Sequence, residues 1–295
     1  MQNTKIEWAT KVWNVVTGCF NNCPYCYARQ IAKRFGGHYS EILENMPEFK
    51  NANGTGASYL PPHYLKEPLQ FKTDKGFRQA SFPYGFEPTF HDYRLQEPFK
   101  HKRKENVFVC SMSDLFHNDI PIEWIYEIFN TTANANRHNY LFLTKNPMRY
   151  NEIFQKEYGS NHHRIEPQSN YWMGATITDI TALRHYEIAM NYLQPEKLNC
   201  KFFASFEPLM QRLDLPKTKL DWVIIGTETG NRKNKIATLS EWVRDLYRQC
   251  VNRNIPVFLK NNLTGKVDFL VEGKPLTGLP QQMPVELLIS KRTII

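Results

Sequence analysis

No apolar run in these 295 residues approaches the roughly 18 needed to cross a bilayer, so a membrane-spanning helix is not expected. The first ten residues, with Lys5, Glu7 and Trp8, hold no apolar stretch that could form the core of a secretion signal. A cytoplasmic address with no membrane partner follows as the expectation. A reducing compartment disfavours disulfides, so the six cysteines read as thiols or metal ligands. An internal repeat is also lacking: Lys66-Glu67-Pro68 and Gln96-Glu97-Pro98 are alike but too short to establish one. What is present is a globular balance, 41% hydrophobic and 22% charged, with a net charge of +8 that suits an anionic partner.

Beyond residue 105 one rhythm recurs, a short β-branched or aromatic run, a polar turn, then a helical pattern. The runs are 107–110, 140–143, 171–177, 201–206, 222–225 and 255–259, with 12–16 added at the front. Most lack polar alternation, as parallel strands covered on both faces do. Amphipathic stretches at 122–135, 181–193 and 240–251 are long enough to cross back over a sheet. The fold class expected is α/β: a partial β/α barrel of the TIM type, six to seven parallel strands, in a single domain spanning 1–295. A doubly wound open sheet is the alternative. Either way chemistry belongs at the carboxyl ends of the strands.

Residues 38–105 depart from the rhythm and read as a long insertion between the first helix and the second strand, with turns at Asn53-Gly54-Thr55-Gly56 and Pro61-Pro62. Its aromatics Phe82, Tyr84, Phe86, Phe90 and Tyr93 could stack bases or simply pack the insertion. The closing run Lys100-His101-Lys102-Arg103-Lys104 fits either a solvated loop or a phosphate-facing patch.

Three of the six cysteines fall together in Gly18-Cys19-Phe20-Asn21-Asn22-Cys23-Pro24-Tyr25-Cys26-Tyr27-Ala28, ahead of an amphipathic helix through Arg34. Cys110, Cys200 and Cys250 are scattered singly and read as core packing. With C-x3-C-x2-C spacing, three thiolates can hold three irons of a four-iron cluster and leave the fourth iron open. Zinc held by these cysteines and His38 is a second possibility, although structural zinc sites usually show two close ligand pairs and only Cys23 and Cys26 make one. Dithiol chemistry by Cys23-Pro24-Tyr25-Cys26 is a third and leaves Cys19 unexplained.

The segment resembles the cluster loop of the radical S-adenosylmethionine superfamily, including aromatic Tyr25 before the third cysteine. The resemblance implies Cys19, Cys23 and Cys26 as ligands of a [4Fe-4S] cluster, S-adenosylmethionine as second cofactor, and reductive cleavage to a 5′-deoxyadenosyl radical. It also implies an electron donor such as flavodoxin or ferredoxin.

The expected strands end in short polar bursts. They are Ser111-Met112-Ser113-Asp114-Leu115-Phe116-His117, Leu143-Thr144-Lys145, Thr176-Ile177-Thr178-Asp179, Ser205-Phe206-Glu207-Pro208, Gly226-Thr227-Glu228 and Leu259-Lys260-Asn261. The turn from Ser111 could receive the cofactor's ammonium or merely cap a helix. Glu207 is hard to bury without a cation, and Lys145 and Lys260 are candidate partners, unless these groups form only a structural ring of ion pairs. Tyr25, Ser111, Ser113, Asp114, Thr176 and Glu207 are the expected cofactor contacts, and Lys145, Glu228 and Lys260 the expected catalytic groups.

Together with Ile6-Glu7-Trp8 and Trp13-Asn14, these phrases resemble a phage-type family of unknown function that accompanies a three-cysteine-motif partner protein. The chain departs from that pattern in Gly226-Thr227, where two glycines are usual, and in the longer insertion. A nucleic acid or modified nucleotide is the substrate class expected. The alternative is a zinc-stabilised nucleic-acid-binding protein without catalysis.

Overall fold

The computed structural model describes residues 1–36, 62–155, 165–230, 232–267, 270–271, 274–275 and 278–289. The chain divides into two compact units. The first is Met1 with Val12–Lys102 and Val109–Ala135; the second is Gln2–Lys11 with Arg103–Phe108 and Asn136–Ile295.

The main sheet has eight strands, against the six to seven expected. Their order is β1 (Gln2–Asn3), β2 (Lys11–Trp13), β8 (Asn106–Val109), β9 (Asn139–Thr144), β10 (Tyr171–Thr176), β11 (Lys201–Phe206), β12 (Trp222–Ile225) and β13 (Val257–Leu259). The extra strand is β1, two exposed residues with no apolar signal. Every pair from β8 to β13 is parallel. The order rises with the sequence and never reverses, which excludes the doubly wound alternative. The crossovers carry α2 (Ile122–Asn134), α3 (Arg149–Gln155), α4 (Ile180–Leu193) and α5 (Ser240–Asn252). Asp179 proves to be the N-cap of α4, its carboxylate accepting from the Ala182 amide at 2.9 Å.

Aromatic packing fills the second unit. Trp222 has Phe203 at 5.7 Å, Trp172 at 6.1 Å and Trp8 at 6.2 Å between ring centroids. Gly174 makes room for Phe203, because a Cβ there would stand 2.2 Å from that ring. Large buried rings of this kind supply most of the apolar area removed from water.

The expected strand over 12–16 breaks in two. β2 ends at Trp13, and β3 (Val16–Thr17) joins a separate sheet, antiparallel to β7 (Thr89–His91), which pairs in parallel with β4 (His63–Leu65). Asn14 turns the chain: its side-chain carbonyl accepts from Ser111 Oγ at 3.0 Å and the Met112 amide at 3.2 Å. The described part of the insertion is also more ordered than its sequence suggests. It adds a hairpin, β5 (Gln70–Thr73) with β6 (Gly76–Gln79). The turns expected around Asn53 and Pro61 lie outside the described residues.

The insertion's aromatics are largely occupied. Phe90 is wholly buried and Phe82 nearly so. Tyr84 stacks on His63 at 3.7 Å, Phe86 lies under Arg29, and the Tyr93 hydroxyl bonds the His91 ring at 3.0 Å. Phe82 and Phe90 pack the insertion, while Tyr84, Phe86 and Tyr93 are half-buried against the partners named.

Candidate functional site

In the first unit the three-cysteine loop runs from β3 to α1 (Tyr27–Phe35). Two left-handed residues shape it, Gly18 at φ 83° and Asn22 at φ 45°. Gly18 is required twice over, since a Cβ would stand 2.2 Å from the Glu87 carbonyl oxygen. The Cys19 amide then donates to the Phe86 carbonyl at 3.0 Å. Cys26 is the N-cap of α1, its sulfur accepting from the Arg29 amide at 3.3 Å, and Ala28 and Ala32 fix the helix on Phe82 and Met112.

The turn after β8 is bonded to this loop along its length. The Gly18 amide donates to the Met112 carbonyl at 2.9 Å, and Ser113 Oγ donates to the Gly18 carbonyl at 2.6 Å. Tyr27 donates its hydroxyl proton to the Ser111 carbonyl at 2.7 Å, and the Asn21 side chain donates to Asp114 Oδ2 at 2.7 Å. Asp114 Oδ1 accepts from the Phe116 amide at 3.3 Å, so the carboxylate caps its own turn and ties the loop at once. Ser111, Ser113 and Asp114 are therefore gathered on the cysteine loop, with Tyr25 half-buried within it.

The donor set fits a cluster, because three thiols on one loop supply one thiolate for each of three irons. All three thiols are half-buried. A four-iron cluster gives each thiolate its own iron, so its ligands stand apart, whereas zinc draws them together. His38 lies outside the described residues. Backbone N–H groups point at two sulfurs, from Asn21 to Cys19 at 3.4 Å and from Arg29 to Cys26. Burial and the nearby Asp114 carboxylate push the Cys19 thiol up to about 11, so a cation is needed to hold it as thiolate at neutral pH. Cys110, Cys200 and Cys250 are buried and pushed up to about 12, chiefly by burial, as packing residues would be.

Arg29 is a group that sequence reading missed. Its guanidinium donates to the Cys19 carbonyl at 3.1 Å and lies 4.8 Å above the Phe86 ring. Its place one helical turn after Cys26 was the available signal.

The second unit gathers another set at the carboxyl ends of β11, β12 and β13. Lys260 forms an ion pair with Glu207. Both lie beside Gly226, where a Cβ would stand 3.1 Å from the Lys260 side chain and 3.3 Å from the Glu207 carboxyl carbon. Glu228, its side chain 2% exposed, is gripped by Arg232 through two bonds of 2.7 and 2.8 Å. Asn262 brackets Thr227, donating to its carbonyl at 2.8 Å and accepting from its amide at 3.2 Å. Thr176 is buried at the end of β10, and Lys145 is half-buried just beyond β9. Arg232 and Asn262 were not singled out from sequence.

Among solved structures the chain is similar to spore photoproduct lyase. A cysteine-to-alanine variant with dinucleoside spore photoproduct shares 9% identity at a TM-score of 0.44, and a cysteine-to-serine variant shares 10% at 0.43. Each match covers 84% of this chain and 62% of the other, so the chain spans under two thirds of their length. No curated protein matches the chain. Residues 3–274 match the model of DUF5131, described as a protein of unknown function, and the chain belongs to that family.

Proposed function

We propose that this chain is a radical S-adenosylmethionine enzyme acting on a nucleic acid or modified nucleotide, with Cys19, Cys23 and Cys26 holding a [4Fe-4S] cluster. The observation that carries the reading is the bonding of the cysteine loop to the Ser111–Asp114 turn, recorded in the bonds from Gly18, Asn21 and Tyr27 and the return bond from Ser113. Two neighbouring loops thereby present three thiols and a carboxylate together, as a cofactor with a metal-chelating end and a cationic centre requires.

When bound, such a cluster supplies the electron that cleaves the sulfonium of S-adenosylmethionine to a 5′-deoxyadenosyl radical. The chain's own residues position. Asp114, already oriented by Asn21 and by the Phe116 amide, offers negative charge to the cofactor's cationic groups. Gly18 lets the Phe86–Glu87 backbone lie directly on the loop and holds it in place. Glu207 and Thr176 are proposed as further cofactor contacts, and Lys145, Glu228 and Lys260 as groups serving the substrate. A flavodoxin- or ferredoxin-like donor is the expected source of electrons.

The test is anaerobic reconstitution with iron and sulfide, reduction with dithionite, and assay for 5′-deoxyadenosine from S-adenosylmethionine. Slow formation without substrate is expected. Stoichiometric zinc with no uptake of iron would replace this reading with the zinc-stabilised one.

A further inference from the structure

The β5–β6 hairpin belongs to neither of the larger sheets. It is rooted in the first unit: Phe71 packs against the cluster of Leu65, Leu69 and Ala80, the Ala80 amide donates to the Leu69 carbonyl at 2.8 Å, and Gln79 donates to the Tyr93 hydroxyl at 2.9 Å. Beyond that root the ribbon projects into solvent. Every residue of β6 is exposed, and β5 alternates exposed and half-buried. Asp74 and Lys75 form the tip between the paired Thr73 and Gly76, which is held by Thr73 Oγ1 donating to the Gly76 carbonyl at 2.7 Å.

Its charge and apolar surface point the same way. Lys72, Lys75 and Arg78 face a single acid, Asp74, and among the described residues none of the three cations takes part in an ion pair. The register sets Lys72 directly across from Phe77, so the two share one face of the ribbon. Phe77 is 66% exposed. Lysines on a free edge are explained by the need to prevent strand pairing between molecules. A bare phenylalanine between free edges works against that need, and an occupant that covers the ring and tolerates the cations would resolve the conflict.

We propose that this ribbon is a contact for single-stranded nucleic acid, with Lys72 and Lys75 on phosphates and Phe77 stacked against an unpaired base. Lys72 lies across the ribbon from the ring and Lys75 at the adjoining tip, whereas Arg78 lies across from Phe71 on the other face; two cations beside one aromatic ring match a chain that repeats one anion and one flat ring per unit. The base must be unpaired, because a ring standing out from a ribbon needs an open base face, which a duplex interior denies. The proposal deepens the substrate class given above and is independent of the cluster.

Fluorescence anisotropy on the full chain tests it, with a labelled oligothymidylate, an oligouridylate of equal length, and a blunt duplex. Both single strands are expected to bind, more tightly than the duplex, with log affinity falling linearly in log salt. Lys72→Gln and Lys75→Gln together should flatten that slope by about 1.4, at about 0.7 per phosphate contact on a single strand. Phe77→Ala should weaken binding roughly ten-fold at an unchanged slope, and Phe77→Tyr should restore it. Should the double variant fold poorly by circular dichroism, Lys75→Gln at the tip should alone flatten the slope by about 0.7. Wild-type affinity and slope in these variants overturn the proposal, as does preference for duplex with Phe77→Ala silent. Self-association of the chain that Phe77→Ala abolishes assigns the ribbon to a second copy and overturns it too. Cleavage assays on the reconstituted wild-type chain keep the two readings apart: binding without cleavage of S-adenosylmethionine removes only the cluster reading, and cleavage without ribbon-dependent binding removes only this one.

Discussion

The side-chain amide of Asn21 donates to the carboxylate of Asp114 at 2.7 Å, joining residues 93 apart in sequence. Asp114 is only 6% exposed, so this bond lies where water cannot readily replace it. Asn21→Ala should lower the stability of the metal-free chain by about 1–3 kcal/mol in urea unfolding. Asp114→Ala should retain iron while weakening S-adenosylmethionine binding in equilibrium dialysis, and unchanged binding would remove Asp114 from the cofactor contacts.

Substituting any one of Cys19, Cys23 or Cys26 by Ala should abolish uptake of about four irons and four sulfides per chain. Cys200→Ala and Cys250→Ala should keep the metal. Both of those thiols are pushed up to about 12 and stay protonated, so alkylation of the native metal-free chain at pH 8 should reach the half-buried Cys23 and Cys26 first. Peptide mapping by mass spectrometry reads the order.

Gly18→Ala meets both an unfavourable φ and the Glu87 carbonyl. The left-handed strain alone costs about 1–3 kcal/mol, and the clash adds to it. A lowered midpoint in urea should accompany poor iron retention. Normal retention would show that the loop does not depend on this close approach.

His91 is buried with Thr17 Oγ1 on Nε2 at 2.8 Å and the Tyr93 hydroxyl on Nδ1 at 3.0 Å. Burial first, then Arg94, brings its pKa down to about 3 from 6.5. The folded chain therefore keeps this ring neutral while the unfolded chain protonates it below about pH 6.5. Its contribution is fully present above that pH and drains away as pH falls toward 3, at about 1.4 kcal/mol per unit. His91→Gln should lower that slope by about one proton between pH 6 and pH 4, measured by urea unfolding at each pH.

The parallel strands were legible because runs such as Trp222–Ile225 are apolar at every position, and burial on both faces demands that. The cysteine loop was legible through spacing, which depends on no distant residue. The break at Asn14 was not, because the bonds that turn the chain come from Ser111 and Met112, about a hundred residues away. The hairpin was hidden for another reason: Gln70, Lys72, Arg78 and Gln79 carry no apolar face, and pairing rather than burial makes them strands. Arg29 and Asn21 escaped notice since their roles are hydrogen bonds to backbone and carboxylate, which leave no periodic trace.

The β3–β7 pairing has a bearing on the order in which the molecule is assembled. The residue before Gly18 reaches His91 across 74 residues, and Cys19 is anchored on Phe86. Closing so long a stretch is a slow, cooperative event compared with winding α1, which needs only local contacts. Until it closes, the three thiols hang on an unshaped strand and cannot present themselves to metal as a set. Iron delivery before that moment would meet scattered ligands, so maturation is expected to run chain first and metal second, timed by the insertion.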